Sequence, residues 1–501
     1  MQLYNTLTKT KERLIPRNNK ELQMFVCGPT VYDYIHIGNA RTFVFFDVVA
    51  KYLRSQNYEV DYIQNITDID EKIIKRAQEA GREPLDWAKE YTEKFKEDMK
   101  GLGVDSPKYA PATKHIEQVI KQVKTLIDKG HAYLLENDGW YFDLSTFKDY
   151  GKLSGRTTQM ADDAVTRIDE NDKKRNKGDF CLWKFTEVRP QISKEVEPQQ
   201  MTVIDGSGNA NAPTRIINGE PTWNTELGWG RPGWHIEDTA ITEHFFGPQY
   251  DIHGGGQDLI FPHHEAEITQ QESASGKKPF VKYWMHSAFI VVNKDQKMSK
   301  SLGNFETVNE LLKKYTKETL RFYLLSSYYR QPLEFSEKIL KQSEAAINRL
   351  AEFVTKLDQI KVSDISTIQA VAQVVEILNK YLVETRGKFL EAMNNDFNTP
   401  EAFAAIFEMI RNINPLLAEN KMSKKQAEEV LSFLKEINGI TGIIPSEQQK
   451  IPVEVRELVE KREKLRQEKN YKESDKIRAQ LHELGYGIED TVYGPLVLRD
   501  H

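Results

Sequence analysis

Met24-Phe25-Val26-Cys27-Gly28-Pro29-Thr30-Val31-Tyr32-Asp33, running on to His36-Ile37-Gly38-Asn39, is the stretch that decides the fold. Three apolar residues make a short strand, and a loop rich in glycine and proline ends it. A helix is expected over Ala40–Gln56, a second strand over Glu59–Ile63, and another helix over Asp70–Ala80. That β-α-β order predicts a Rossmann-type α/β fold with a doubly wound parallel sheet. Ligands of such sheets gather at the carboxyl ends of strands, where Cys27–Asn39 and Asn65–Asp70 fall.

Gly38 lets backbone approach a ligand closely, and the N-terminus of the following helix attracts phosphate. His36 can donate to a phosphate oxygen. Far downstream, Lys297-Met298-Ser299-Lys300-Ser301 follows another apolar strand, Phe289–Val292. Its two lysines can neutralise charge as pyrophosphate leaves. Alone, the first motif also reads as a turn histidine and the second as a solvated basic loop. Together, in this order, they read as a grip on ATP from two sides. Between them lies Asp251-Ile252-His253-Gly254-Gly255-Gly256-Gln257-Asp258. Gly255 can let backbone lie against adenosine or an amino acid, and Asp258 can accept from a ribose hydroxyl or an ammonium group. Elsewhere in a chain a plain turn is the default for such a run.

His263 and Glu267 stand four residues apart. If Pro262 opens a helix, both project from one face and can share a metal. Cys27 is one of only two cysteines, and its other reading is a buried apolar residue. Cys181 reads as ordinary core.

The chain has 501 residues, enough for three or four domains. No apolar run reaches the ~20 residues of a membrane helix, and no signal-peptide core is evident. Two cysteines exclude a disulfide framework and suit a reducing cytosol. A net charge of −6 leaves any nucleic-acid surface to local basic patches. Asp86–Leu102 and Ile116–Lys129 read as helices closed by Gly103 and Gly130, and His131–Leu135 with Trp140–Phe142 as a hairpin. Arg189–Pro221 reads as a flexible surface loop, with Asp205-Gly206-Ser207-Gly208-Asn209 at its heart. Glu337–Leu357, Ile368–Ala392, Pro400–Ile413 and Ser423–Gly439 have the apolar spacing of an antiparallel bundle. In the tail, helices near Val453–Lys469 and Tyr471–Leu484 precede a hairpin over Ile488–Leu498, and their charge favours solvated surfaces.

The His36–Asn39 and Lys297–Ser301 strings resemble the HIGH and KMSKS motifs of class I aminoacyl-tRNA synthetases. Cys27–Asp33, Asn65-Ile66-Thr67-Asp68-Ile69-Asp70, Gly233-Trp234-His235-Ile236-Glu237, Phe261-Pro262-His263-His264-Glu265 and Met393–Pro400 narrow the resemblance to the cysteinyl-tRNA synthetases. It covers almost the whole chain apart from 189–221. It implies a cysteine–tRNA ligase that forms cysteinyl adenylate from L-cysteine and ATP, with Mg²⁺, and passes cysteine to tRNA(Cys). His36, Lys297 and Lys300 would be catalytic, and Gly38, Asn39, Gly255, Asp258, Ser299 and Lys300 would bind ATP. Thr67, Trp234 and His253 would line the cysteine pocket, although Trp234 reads equally as core packing. One Zn²⁺ per chain would sit on Cys27, Asp238, His263 and Glu267 and select the thiol over a hydroxyl. Asp238 stands where the family has a second cysteine and also reads as a helix cap, while His264 rivals His263. Asn39 departs from the final histidine of the HIGH motif.

The implied domains are a catalytic domain over 1–75 and 222–330 and a connective insertion over 76–221. A helical anticodon-stem-binding bundle over 331–445 and a small α+β anticodon module over 446–501 complete them. Residues 189–221 have a second reading as a contact to the tRNA acceptor arm. A cytoplasmic monomer without membrane contact is expected. The alternatives are a cysteine ligase with an amino-sugar acceptor and a non-catalytic tRNA-binding relative.

Overall fold

Strand Glu21–Val26 is the middle of a five-stranded, all-parallel sheet. The order across it is Val281–Ser287, Tyr250–Gly256, Glu21–Val26, Glu59–Ile66, Lys108–Pro111. Met24, Phe25 and Val26 are wholly buried, as a strand covered on both faces requires, which explains their continuous apolar run. The computed structural model describes residues 1–156, 171–186, 215–217, 219–292, 296–297, 305–360, 368–419, 421–445, 452–491 and 494–499. Ser299, Lys300, Tyr493, the side chain of Lys297 and most of 189–221 lie outside them.

The chain divides into two units, Met1–Lys314 with Tyr329–Glu334, and Tyr315–Tyr328 with Phe335–His501. In the first, the opening helix runs Ile37–Ser55 and starts three residues earlier than its apolar pattern suggests. The reason is a cap: Asn39 N–H donates to His36 Nδ1 at 3.3 Å. Asp70 caps helix Glu71–Glu79 in the same way, accepting from Lys72 N–H at 2.8 Å.

A second sheet of the same unit is antiparallel and six-stranded, ordered Ala132–Leu135, Gly139–Phe142, Cys181–Phe185, Gly228–Pro232, Glu220–Thr225, Arg215–Ile217. The expected loop over 189–221 therefore ends in structure: Arg215–Ile217 turns through Gly219 (φ 79°) and pairs with Glu220–Thr222. Two expected boundaries move with these pairings. Lys108–Pro111 joins the parallel sheet, beyond 75, and Glu220–Pro232 joins the antiparallel one, beyond 221.

In the second unit, helices Glu337–Asp358, Ile368–Asn394, Thr399–Ala418 and Lys424–Thr441 follow the predicted periodicity. Tyr315–Tyr328, with helix Lys317–Leu325, belongs to this unit, ahead of the boundary expected at 331. The tail helices Val453–Gln467 and Tyr471–Glu483 are not simply solvated. Val455, Val459, Ile477 and Leu481 pack with Tyr486 and Ile488 into a small core. Their charge lies on the other face, which composition alone concealed. Buried Arg462 donates to both oxygens of Asp490, at 2.7 and 2.9 Å. Among the described residues no helix is long and apolar enough to cross a membrane.

Gly28 passes so close to the next strand that a Cβ there would lie 1.8 Å from Asn65 O. That oxygen is main chain and cannot swing aside. Gly28→Ala is expected to cost about 3 kcal/mol or more of stability, read as a lowered urea midpoint. An unchanged midpoint would contradict the tight approach.

Candidate active site and metal centre

The strand order reverses between Glu21–Val26 and Tyr250–Gly256, so the carboxyl ends of these strands frame the switch-point crevice of the sheet. Cys27 N–H donates to Gly254 O at 3.0 Å across the gap. A cavity of about 480 Å³ opens there. Cys27, Asp238 and His263 line it together with His36, Gly38 and Asn39, so both expected half-sites share one space. Thr67, Trp234 and Asp258 also line it.

Four elements deliver the metal-type donors. Cys27 follows the central strand, Asp238 sits in the first turn of helix Ile236–Phe246, and Glu267 in that of helix Glu265–Ser275. Backbone geometry is non-helical at Phe261 (φ −142°, ψ 131°), and a wide turn over Ile260–His264 leads into that last helix. Pro262 therefore lies one turn ahead of the regular helix, yet His263 and Glu267 still meet. His263 Nε2 is 3.0 Å from Glu267 Oε1 and 3.1 Å from Asp238 Oδ2. The Cys27 thiol donates to Asp238 Oδ2 at 3.2 Å and reaches Glu267 Oε1 at 3.8 Å. The donor atoms of these four residues all lie within 4.8 Å of one another. Cys27, His253, His264 and Glu267 satisfy the same limit. The first set presents Cys27, Asp238 and His263 to the cavity, whereas the second presents Cys27 alone, with His253 and His264 buried and absent from the wall; Glu267, common to both sets, lies behind it.

The electrostatics fit a cation. Burial pushes the Cys27 thiol well above its ordinary value, and the Asp238 and Glu267 carboxylates push it further. Burial opposes charge on His263, but Glu267 and Asp238 outweigh it and raise the ring to about 10. Burial likewise raises Glu267. Glu267 Oε2 is buried without a hydrogen-bond partner. One protonated imidazole is thus set against several buried acids, a balance that a divalent ion completes.

Other expected residues are distributed unevenly. His36 is the helix cap, and an accepting Nδ1 leaves the proton of the neutral ring on Nε2. His253, expected in the cysteine pocket, instead lies behind Cys27, with Nε2 3.3 Å from Sγ and Nδ1 2.5 Å from Tyr250 OH. Gly255 is also not part of the cavity wall; its bare Cα makes room for His264, whose ring a Cβ would meet at 2.8 Å. Gly256 lines the cavity in its place. Trp234 stacks on His263, centroids 4.6 Å apart, and lines the cavity. Ile37 N–H donates to Glu306 O at 2.9 Å and Val308 N–H to Ile35 O at 3.1 Å, tying the chain beyond 304 to the His36 loop.

The supporting contacts of several histidines escaped the sequence reading. His235 Nδ1 contacts His263 Nδ1 at 2.8 Å, which leaves His263 Nε2 to the donor cluster. His264 Nδ1 contacts His286 Nε2 at 2.8 Å, and Thr6 Oγ1 contacts His286 Nδ1 at 2.8 Å. His286 carries no motif, and only the parallel pairing of Gly255 with His286 brings it here.

Comparison with known proteins agrees with this geometry. A family model described as tRNA synthetases class I (C) catalytic domain matches residues 13–194 and 215–345, and a DALR domain model matches 388–444. The fold resembles a Mycobacterium tuberculosis methionyl-tRNA synthetase in complex with methionyl-adenylate. That likeness has a TM-score of 0.57 and 15% identity over 84% of this chain and 92% of that one. The chain belongs to the class I aminoacyl-tRNA synthetases. The cysteine–tRNA ligases of Carboxydothermus hydrogenoformans and Clostridioides difficile are 42% and 41% identical to it, over 99% of each chain. That of Caldicellulosiruptor saccharolyticus is 41% identical over the full length of both. Within its class, the chain is a member of the cysteine–tRNA ligase family.

Metal ligands must shed their protons. With Cys27 and His263 held protonated at pH 7, ion uptake should displace a proton from each, and affinity should rise with pH. Calorimetric titration of metal-free protein in buffers of differing ionisation enthalpy reads this directly. A pH-independent affinity without proton release would contradict the assignment.

Proposed function

We propose that the chain is a cysteine–tRNA ligase: it activates L-cysteine with ATP and transfers the cysteinyl group to the 3′ end of tRNA(Cys). The observation that carries the reading is the single cavity walled by Cys27, Asp238 and His263 and by the His36-capped helix. Zinc is the ion assigned to Cys27, Asp238, His263 and Glu267, on the mixture of sulfur, nitrogen and oxygen donors. When bound, it supplies a Lewis acid that takes a thiolate far more readily than a neutral hydroxyl, which separates cysteine from serine.

The chain's own groups do the rest by positioning and charge. His36 Nε2–H and the N-terminus of helix Ile37–Ser55 hold phosphate oxygens as the cysteine carboxylate attacks the α-phosphorus and pyrophosphate leaves. Gly38 and Asn39 admit the nucleotide beside that helix end, and Asp258 accepts from the ribose or the substrate ammonium group. Lys297, Ser299 and Lys300 neutralise the departing pyrophosphate, with Mg²⁺ carried in by ATP. Thr67 and Trp234 border the cysteine side chain. In the second step a terminal ribose hydroxyl attacks the acyl carbon, and no protein nucleophile is needed. An amino-sugar acceptor and a non-catalytic role are not favoured, since the match to curated ligases spans 99% of the chain and includes the DALR domain. Two buried cysteines, neither of them in a disulfide, suit a cytosolic setting.

Charging of tRNA(Cys) by cysteine but not serine, abolished by a chelator and restored by zinc, is the expected outcome. Cysteine-dependent ATP turnover without tRNA charging would refute the acceptor. Lys300→Ala should slow adenylate formation by about 100-fold while leaving cysteine affinity nearly intact. Equal activation rates in single-turnover pyrophosphate release would remove Lys300 from the mechanism.

A further inference from the structure

The donor set Cys27, Asp238, His263 and Glu267 contains one sulfur and two carboxylates. Carboxylates are the ligands that hard, higher-coordinate ions such as Mn²⁺ share with zinc, and each can bind through one oxygen or two. The surroundings of each carboxylate therefore bear on how many donors the centre offers, and Glu267 Oε2 has no hydrogen-bond partner. At Asp238 those surroundings are built in detail. Asn65 Nδ2 donates to Asp238 Oδ1 at 2.6 Å, while Asp238 Oδ2 faces Cys27 Sγ at 3.2 Å and His263 Nε2 at 3.1 Å.

The Asn65 amide cannot turn over, because its Oδ1 accepts from Gly28 N–H at 2.6 Å. Its amide nitrogen also lies 3.4 Å from Thr67 Oγ1, whose hydroxyl donates to Glu237 Oε2 at 3.1 Å and holds that neighbouring carboxylate. Asn65 and Asp238 are each 2% exposed, so water does not compete for these bonds. The close approach of Gly28 to Asn65 O puts strand end, amide and aspartate in one rigid unit.

We propose that Asn65 is a positioning residue that confines Asp238 to one-oxygen coordination and so gives this one-thiolate centre its preference for a four-coordinate ion such as zinc over Mn²⁺. The inference rests on the assignment of Asp238 to the metal site. A thiolate at the same position has no second donor atom to restrain, so the effect of Asn65 belongs to the aspartate.

The test uses the full-length protein, with metal affinities from chelator competition and visible spectra of the Co²⁺ form. Asn65→Ala should lower Zn²⁺ affinity by about 10- to 100-fold and Mn²⁺ affinity much less. It should also weaken the intense visible bands that mark four-coordinate Co²⁺. In an Asp238→Cys background, Asn65→Ala should change Zn²⁺ affinity by less than about threefold. Unchanged affinities and spectrum, or an equal loss in both backgrounds, would overturn the proposal and leave Asn65 a strand connector. If Asn65→Ala does not fold, Asn65→Ser carries the same expectation, its hydroxyl being too short to reach Asp238. Wild-type Zn²⁺ affinity in Asp238→Ala would instead overturn the metal assignment itself, an outcome distinct from failure of the Asn65 role.

Discussion

The rest of the catalytic unit depends on how closely three strand ends converge. Cys27 N–H reaches Gly254 O on one side, and Gly28 packs against the main chain of Asn65 on the other. The second approach leaves no room for a side chain at Gly28. This convergence seats a thiol, the His253 imidazole and the Asn65 amide within a few ångströms, at the point where the sheet order reverses. Both helices that carry the remaining acids, Ile236–Phe246 and Glu265–Ser275, turn their first turns toward it.

Burying so many acids in one place is costly unless charge is returned. Protonation of His263 and of the Cys27 thiol meets part of that cost in the protein alone, and a divalent ion would meet it more fully. The second ring of contacts, His235 on His263 and Asn65 on Asp238, fixes which atoms face inward. The identity and the orientation of the donors are thus set by different residues.

Much of the architecture was legible from the chain. The parallel sheet followed from the apolar run at Met24–Val26 and its β-α-β surroundings, and the bundle from three- and four-residue apolar spacing. The tail helices were less legible, since charge-rich composition hides a narrow apolar stripe that is visible only once Val459 and Ile477 meet. The helix start at Ile37 was missed because a histidine is an unusual cap. Strand Arg215–Ile217 was missed because three residues are too few for a periodic signal.

By itself the sequence determined most of the elements, because each rests on local spacing, and the four-residue interval placed His263 and Glu267 together; Cys27 and Asp238 joined them only through the family resemblance. Tertiary structure alone decided which histidines face the cavity. His253 and His264 lie as near Cys27 as any ligand, yet they sit behind it, while His263 lies in front. It alone also decided that Asn65 grips Asp238, 173 positions away. Such contacts depend on how parallel strands register and where helices begin in space, and those are long-range quantities that no window along the chain contains.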